Sequence, residues 1–180
     1  MQTRTFHSNL VALALLAAVS VCSAESESDP MKLAAVMDFE LIDDMRAYET
    51  PEVLAAQDRR ILLISDAFRK DLERRGMYRI ADNSTVSIMI TDLETRQALR
   101  NCNGCEIDIG RALGSDVVVI GWVQKVSNLI LNINIEVRDV GSGQMLYVKS
   151  VDLRSNTDRS WLRGIRFMVD SIAAKKQHLR

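Results

Sequence analysis

Val117–Leu153 reads VVVIGWVQKVSNLILNINIEVRDVGSGQMLYVKSVDL, and this stretch decides the fold. Val117 to Val126 is continuous and apolar, Leu129 to Val137 alternates strictly, and Met145 to Leu153 alternates more loosely. A continuous run suits a strand buried on both faces, and alternation suits a strand with one wet face. Ser127-Asn128 and Gly141-Ser142-Gly143 supply the turn chemistry between the runs, so the segment reads as a three-stranded antiparallel meander. With the first turn centred on Ser127-Asn128, Trp122 falls opposite Ile133 and Ile120 opposite Ile135. A second loop over Val140 to Gly143 adds Leu146 and Val148 to that greasy face. The other face then carries Asn132, Asn134, Glu136, Arg138, Tyr147 and Lys149, a polar surface open to solvent or a partner. Trp122 and Trp161 read as core residues.

Working outward, Asn156-Thr157-Asp158 caps a last helix with Trp161, Ile165, Met168, Val169 and Ile172 as its packing stripe. Upstream, Leu33 to Phe39 is a short apolar strand followed by an acidic loop from Glu40 to Thr50. Thr50-Pro51-Glu52 starts a long helix, with Thr as N-cap and Pro at the first helical position, and Gly76 closes it. Met77 to Ala81 reads as a second strand. Asp82-Asn83-Ser84 can cap a helix, although Val86 to Ile90 also fits a strand. Cys102-Asn103-Gly104-Cys105 is a tight turn before a short helix from Glu106 to Leu113. The order β-α-β-α-α-β-β-β-α predicts an α/β fold, a two-layer sandwich on a mixed sheet.

The first 24 residues read as a secretory leader: Arg4 as the positive start, Leu10 to Val21 as the apolar core, and small residues before Glu25. The apolar run is shorter than the roughly 20 residues of a membrane span. This predicts a signal peptide at 1–24, a polar linker at 25–31 and a single domain at 32–180, located in the periplasm and without a transmembrane span. Acylation at Cys22 is the rival processing route, disfavoured by Val21 before it. Removing 1–24 takes Arg4 from the 23 basic residues and none of the 24 acidic ones, leaving 22 against 24, a net charge of −2. With no basic block, nucleic acid or anionic lipid is disfavoured as the main partner.

Catalytic constellations fail one by one. His178 is the one histidine outside the leader, so nucleophile–histidine chemistry would need the tail to fold back onto a distant site. There is no glycine-rich phosphate loop, and no cofactor or metal is expected. Zinc needs two more soft ligands than Cys102 and Cys105 supply, and Glu106 stands where haem attachment requires histidine. The Cys102–Cys105 pair reads as a disulfide staple or a redox site. Two features favour the staple: the preceding stretch looks helical, and Pro30 and Pro51 are not placed to sit beside the sulfurs. Asp38, Glu40, Asp43 and Asp44 could hold a cation but read first as solvated loop charges.

Val36-Met37-Asp38-Phe39-Glu40-Leu41, the Cys102–Cys105 turn and Gly121 to Asn132 resemble a family of secreted bacterial proteins classed as a domain of unknown function. The likeness runs from about Leu33 to Phe167. The family brings no assigned activity; some members are encoded near quinoprotein alcohol dehydrogenases, which implies an accessory role in such a system. The element order is also similar to the N-terminal domain of the Tol-system periplasmic protein and related envelope lipoproteins. That likeness implies an interaction module whose partner is another periplasmic or envelope protein. A thiol–disulfide redox protein is the alternative.

Overall fold

The computed structural model describes residues 30–178, so the leader, Cys22 and the linker up to residue 29 lie outside the described residues. The chain runs β1 (Leu33–Val36), β2 (Glu40–Asp43), α1 (Pro51–Arg74), β3 (Arg79–Ile80), α2 (Ser87–Arg96) and α3 (Cys105–Ala112). It then forms β4 (Val117–Lys125), β5 (Leu131–Asp139), β6 (Met145–Leu153) and α4 (Asp158–His178). The strands make one mixed sheet in the order β3-β1-β4-β5-β6, with β2 also paired to β4. β1, β2 and β3 pair in parallel, and β4-β5-β6 is the expected antiparallel meander.

The helices form where their caps and stripes direct. Thr50 Oγ1 accepts from the Val53 amide ahead of Pro51, and Gly76 follows α1 at φ +62°, a conformation that costs glycine nothing. Ile64, Phe68 and Leu72 of α1 and Trp161, Ile165 and Met168 of α4 pack on one sheet face against Ala34, Val36, Val119, Val123, Ile133 and Ile135. The ambiguous Val86–Ile90 stretch is helical, not extended. With α3, it covers the opposite face over β1 and β4 through Ile107, Ile109, Met89 and Leu93. The sandwich therefore has a partial third layer on one half of the sheet. This is why β1 and the Val117–Ile120 half of β4 are apolar throughout while β5 alternates.

β1 and β2 are one strand broken by a bulge. Val36 pairs with Val119 and Glu40 with Trp122, so four steps on one side match three on β4. The extra residue reverses the facing: Ala34 and Val36 lie on the α1/α4 side before it, Phe39 and Leu41 after it. The first strand thus extends into the stretch expected to be a loop. The Val36 carbonyl released by the bulge accepts from the Arg69 guanidinium (2.9 and 3.0 Å) and from Asn83 Nδ2 (2.8 Å).

Two register expectations are corrected. Val123, not Trp122, lies opposite Ile133, and Trp122 lies opposite Asn134. The turn closes between Lys125 and Leu131, with Ser127 Oγ accepting from the amides of Leu129 and Ile130, so its centre sits at Asn128. That half-residue displacement exchanges the two faces of β4. On β6 an irregularity at Val137/Arg138 leaves Leu146 as an extra residue. Tyr147 and Lys149 consequently join Val151 and Leu153 on the helix side, and Leu146 and Val148 turn outward.

Candidate functional site

The open half of the sheet, beyond the cover of α2 and α3, keeps four of the six expected interface residues together. Asn132, Asn134, Glu136 and Arg138 alternate along β5, all half-buried. Asn134 Nδ2 donates to Asn132 Oδ1 at 2.8 Å, and Arg138 pairs with Glu136 at 3.1 Å while its Nε lies 3.5 Å from Glu106 of α3. Trp122, expected in the core, is half-buried on this face beside Asn134, whereas Trp161 is fully buried with its indole N–H on Asn156. On the other flank stand Val148, 53% exposed, and Leu146, 42% exposed. The result is a mixed surface: the amide pair lies between Trp122 on one side and Ser150 and Asp152 on the other, and farther along Val148 stands opposite Glu136.

Tyr147 and Lys149 belong to the other side. Lys175 Nζ lies 4.8 Å from the Tyr147 ring, and Lys149 Nζ lies 5.7 Å from the Phe167 ring on α4. Partial burial pushes the Tyr147 phenol above its ordinary range.

Cys102 and Cys105 come within disulfide distance, their Cα atoms 5.6 Å apart. Cys105 is the first residue of α3, and Gly104 before it takes φ +116°. Glu106 is buried beside them and accepts from the Gly104 amide at 3.0 Å. The two sulfurs and a Glu106 oxygen lie within 4.8 Å of one another. Three donors alone do not complete a closed tetrahedral zinc site. Sequence spacing flagged the cysteines but not Glu106 as their buried neighbour.

The acidic run is divided among separate cations rather than gathered into a cation site. Asp38 pairs with Arg69 at 2.6 Å, and Glu40 pairs with Arg100. Asp43 is buried and pairs with Lys125 at 2.8 Å, and Glu49 contacts the same ammonium. Gln57, with its amide turned to suit both neighbours, accepts from Lys125 at 2.9 Å and donates to Asp43 at 3.2 Å. Asp44 is exposed. The Lys125 network was not legible from spacing, because its members come from β2, β4, α1 and the loop between β2 and α1. The His178 side chain lies outside the described residues.

Residues 32–172 match a family model described as "Protein of unknown function (DUF2380)". No curated protein matches the chain. Among solved structures, LpoB from Escherichia coli aligns with a TM-score of 0.49 at 13% identity, covering 69% of this chain and 57% of that one. The C-terminal domain of LpoB from Salmonella enterica aligns with a TM-score of 0.41 at 14% identity over 72% of this chain and 87% of that one. TolB from Acinetobacter baumannii aligns with a TM-score of 0.44 at 14% identity over 81% of this chain and 28% of that one. These are likenesses of fold. No helix among the described residues is long and apolar enough to cross a membrane.

Proposed function

The chain belongs to this family of proteins of unknown function, and on that premise we propose that it is an exported, non-enzymatic accessory module that docks another envelope protein. The observation that carries the reading is the uncovered sheet face, which presents Trp122 and the Asn132–Asn134 pair at one end and outward-facing Val148 and Leu146 towards the other. An amide pair sharing a face with outward aliphatic side chains offers hydrogen bonds and dry area together, and β6, the terminal strand of the sheet, leaves backbone groups for a partner strand. The leader read at residues 1–24 supports export.

A photo-crosslinking residue at Val148 tests this, with Leu62 on the exposed side of α1 as the comparison site. In periplasm, a discrete adduct is expected from position 148 and lost on Asn132→Ala/Asn134→Ala substitution. Identical adducts from both positions, or none from 148, would refute the reading.

A second reading rests on the buried Glu106 carboxylate beside Cys102 and Cys105 at the start of α3. A helix N-terminus favours a thiolate, and a neighbouring carboxylate can accept its proton, so a thiol–disulfide exchange site is chemically coherent. A reduction potential above about −300 mV, with insulin reduction faster than in a Cys105→Ser control, supports it. A fully oxidised pair below that potential marks a structural staple.

A further inference from the structure

Arg154, Arg159 and Arg163 line a groove of about 630 Å³ between the end of β6 and the first turns of α4. None of the three guanidiniums has a hydrogen-bond or ion-pair partner among the described residues. Elsewhere in the fold Arg60, Arg69, Arg75, Arg100 and Arg138 each hold a carboxylate. Asp158, at the start of α4 and outside the groove lining, is engaged by Arg60 at 2.7 Å. Asp152 is the single carboxylate in the lining.

This arrangement breaks local rules without an internal return. Arg159 and Arg163 stand four residues apart on one helix, where like charges repel. They also occupy the N-terminal half of α4, the end at which the helix dipole disfavours cations. Arg154 adds a third positive charge from the segment leading into the helix. All three arginines are exposed, so solvent screens part of this repulsion, and the unpaired charges are left open to an external anion.

We propose that the groove binds a phosphate group. Each guanidinium presents a planar fork of donors, and a single carboxylate has two oxygens, enough for one fork. A phosphate group carries more acceptor oxygens around one centre and suits several arginines lining one groove. Ser160 and Thr157 add hydroxyls to the lining, and the exposed Phe167 closes the far end with the Lys149 ammonium over its ring. The ligand is either a soluble phosphate compound or a lipid headgroup meeting the groove at a membrane surface. The site lies at the α4 side of β6 and does not rest on the docking face proposed above.

The test has two arms, each on wild type, an Arg154→Gln/Arg159→Gln/Arg163→Gln variant and an Arg59→Gln control on α1. The first titrates inorganic phosphate and follows amide chemical shifts. The second sediments the protein with phosphatidylglycerol or phosphatidylcholine vesicles. Shifts confined to the groove, weakened at least tenfold in the triple variant and unchanged in the control, support a soluble ligand. Sedimentation with phosphatidylglycerol alone, lost in the triple variant, supports a headgroup. The unliganded variant should melt no lower than wild type, since removing mutual repulsion costs the fold nothing. Absence of binding in both arms, or equal binding by the triple variant, overturns the proposal.

Discussion

Lys125 shows how a residue's meaning depends on neighbours that sequence spacing does not display. Its side chain is 3% exposed, held by Asp43, Glu49 and Gln57 from three separate segments. Burial alone would lower its pKa, but hydrogen bonds and charge from Asp43 and Glu49 outweigh this and raise it above the ordinary lysine range. The charge therefore stabilises the fold fully below the unfolded lysine value, and that contribution is lost as pH rises through the folded one. Lys125→Met strands two carboxylates, one of them buried, and should cost about 3–5 kcal/mol in urea denaturation near neutral pH. The variant should also lack the wild type's extra loss of stability above the lysine range. A cost below about 1 kcal/mol would show the network to be solvated. In the sequence Lys125 falls within the apolar run Val117 to Val126 and Asp43 within an acidic loop read as solvated, so nothing there pairs the two.

At the scale of elements, the bulge between β1 and β2 is the feature with the widest consequences. It frees the Val36 carbonyl for Arg69 and Asn83 and turns Phe39 inward, where its ring lies directly over Gly121 and edge-on to Phe68. Gly121 has no Cβ because the Phe39 ring occupies that space. Gly121→Ala should destabilise by about 1–3 kcal/mol. Phe39→Leu in the same chain should return part of that loss, measured as a coupling in a double-mutant cycle. Strictly additive effects would show that ring and glycine do not compete. The bulge had no trace in the sequence, because residues 33–37 are apolar without a break and so carry no alternation for an extra residue to interrupt. Helix boundaries were far more legible, because Thr50-Pro51 and Gly76 act through local chemistry at the chain positions that carry them.

For the whole molecule, the decisive property is unequal cover. β1 and the first half of β4 are clad on both faces, and β5 and β6 on one, which leaves an open surface ending in β6. Val148 projects from that surface, so Val148→Lys should change stability by less than about 0.5 kcal/mol. The same variant should abolish the proposed docking, read as loss of a crosslinked adduct from a probe at Trp122. A substantial fall in stability would mean that Val148 packs inside the fold instead. The sequence by itself determined the α/β class, the meander, the capped helices and the Cys102–Cys105 turn, because periodicity and turn chemistry act over a few residues. Only the tertiary structure decided which face each strand shows, since one residue more or less in a turn or bulge reverses a whole strand. It moved Trp122 outward, sent Tyr147 and Lys149 beneath α4, and converged Lys125 with its carboxylates. Those outcomes depend on contacts between segments that lie far apart along the chain.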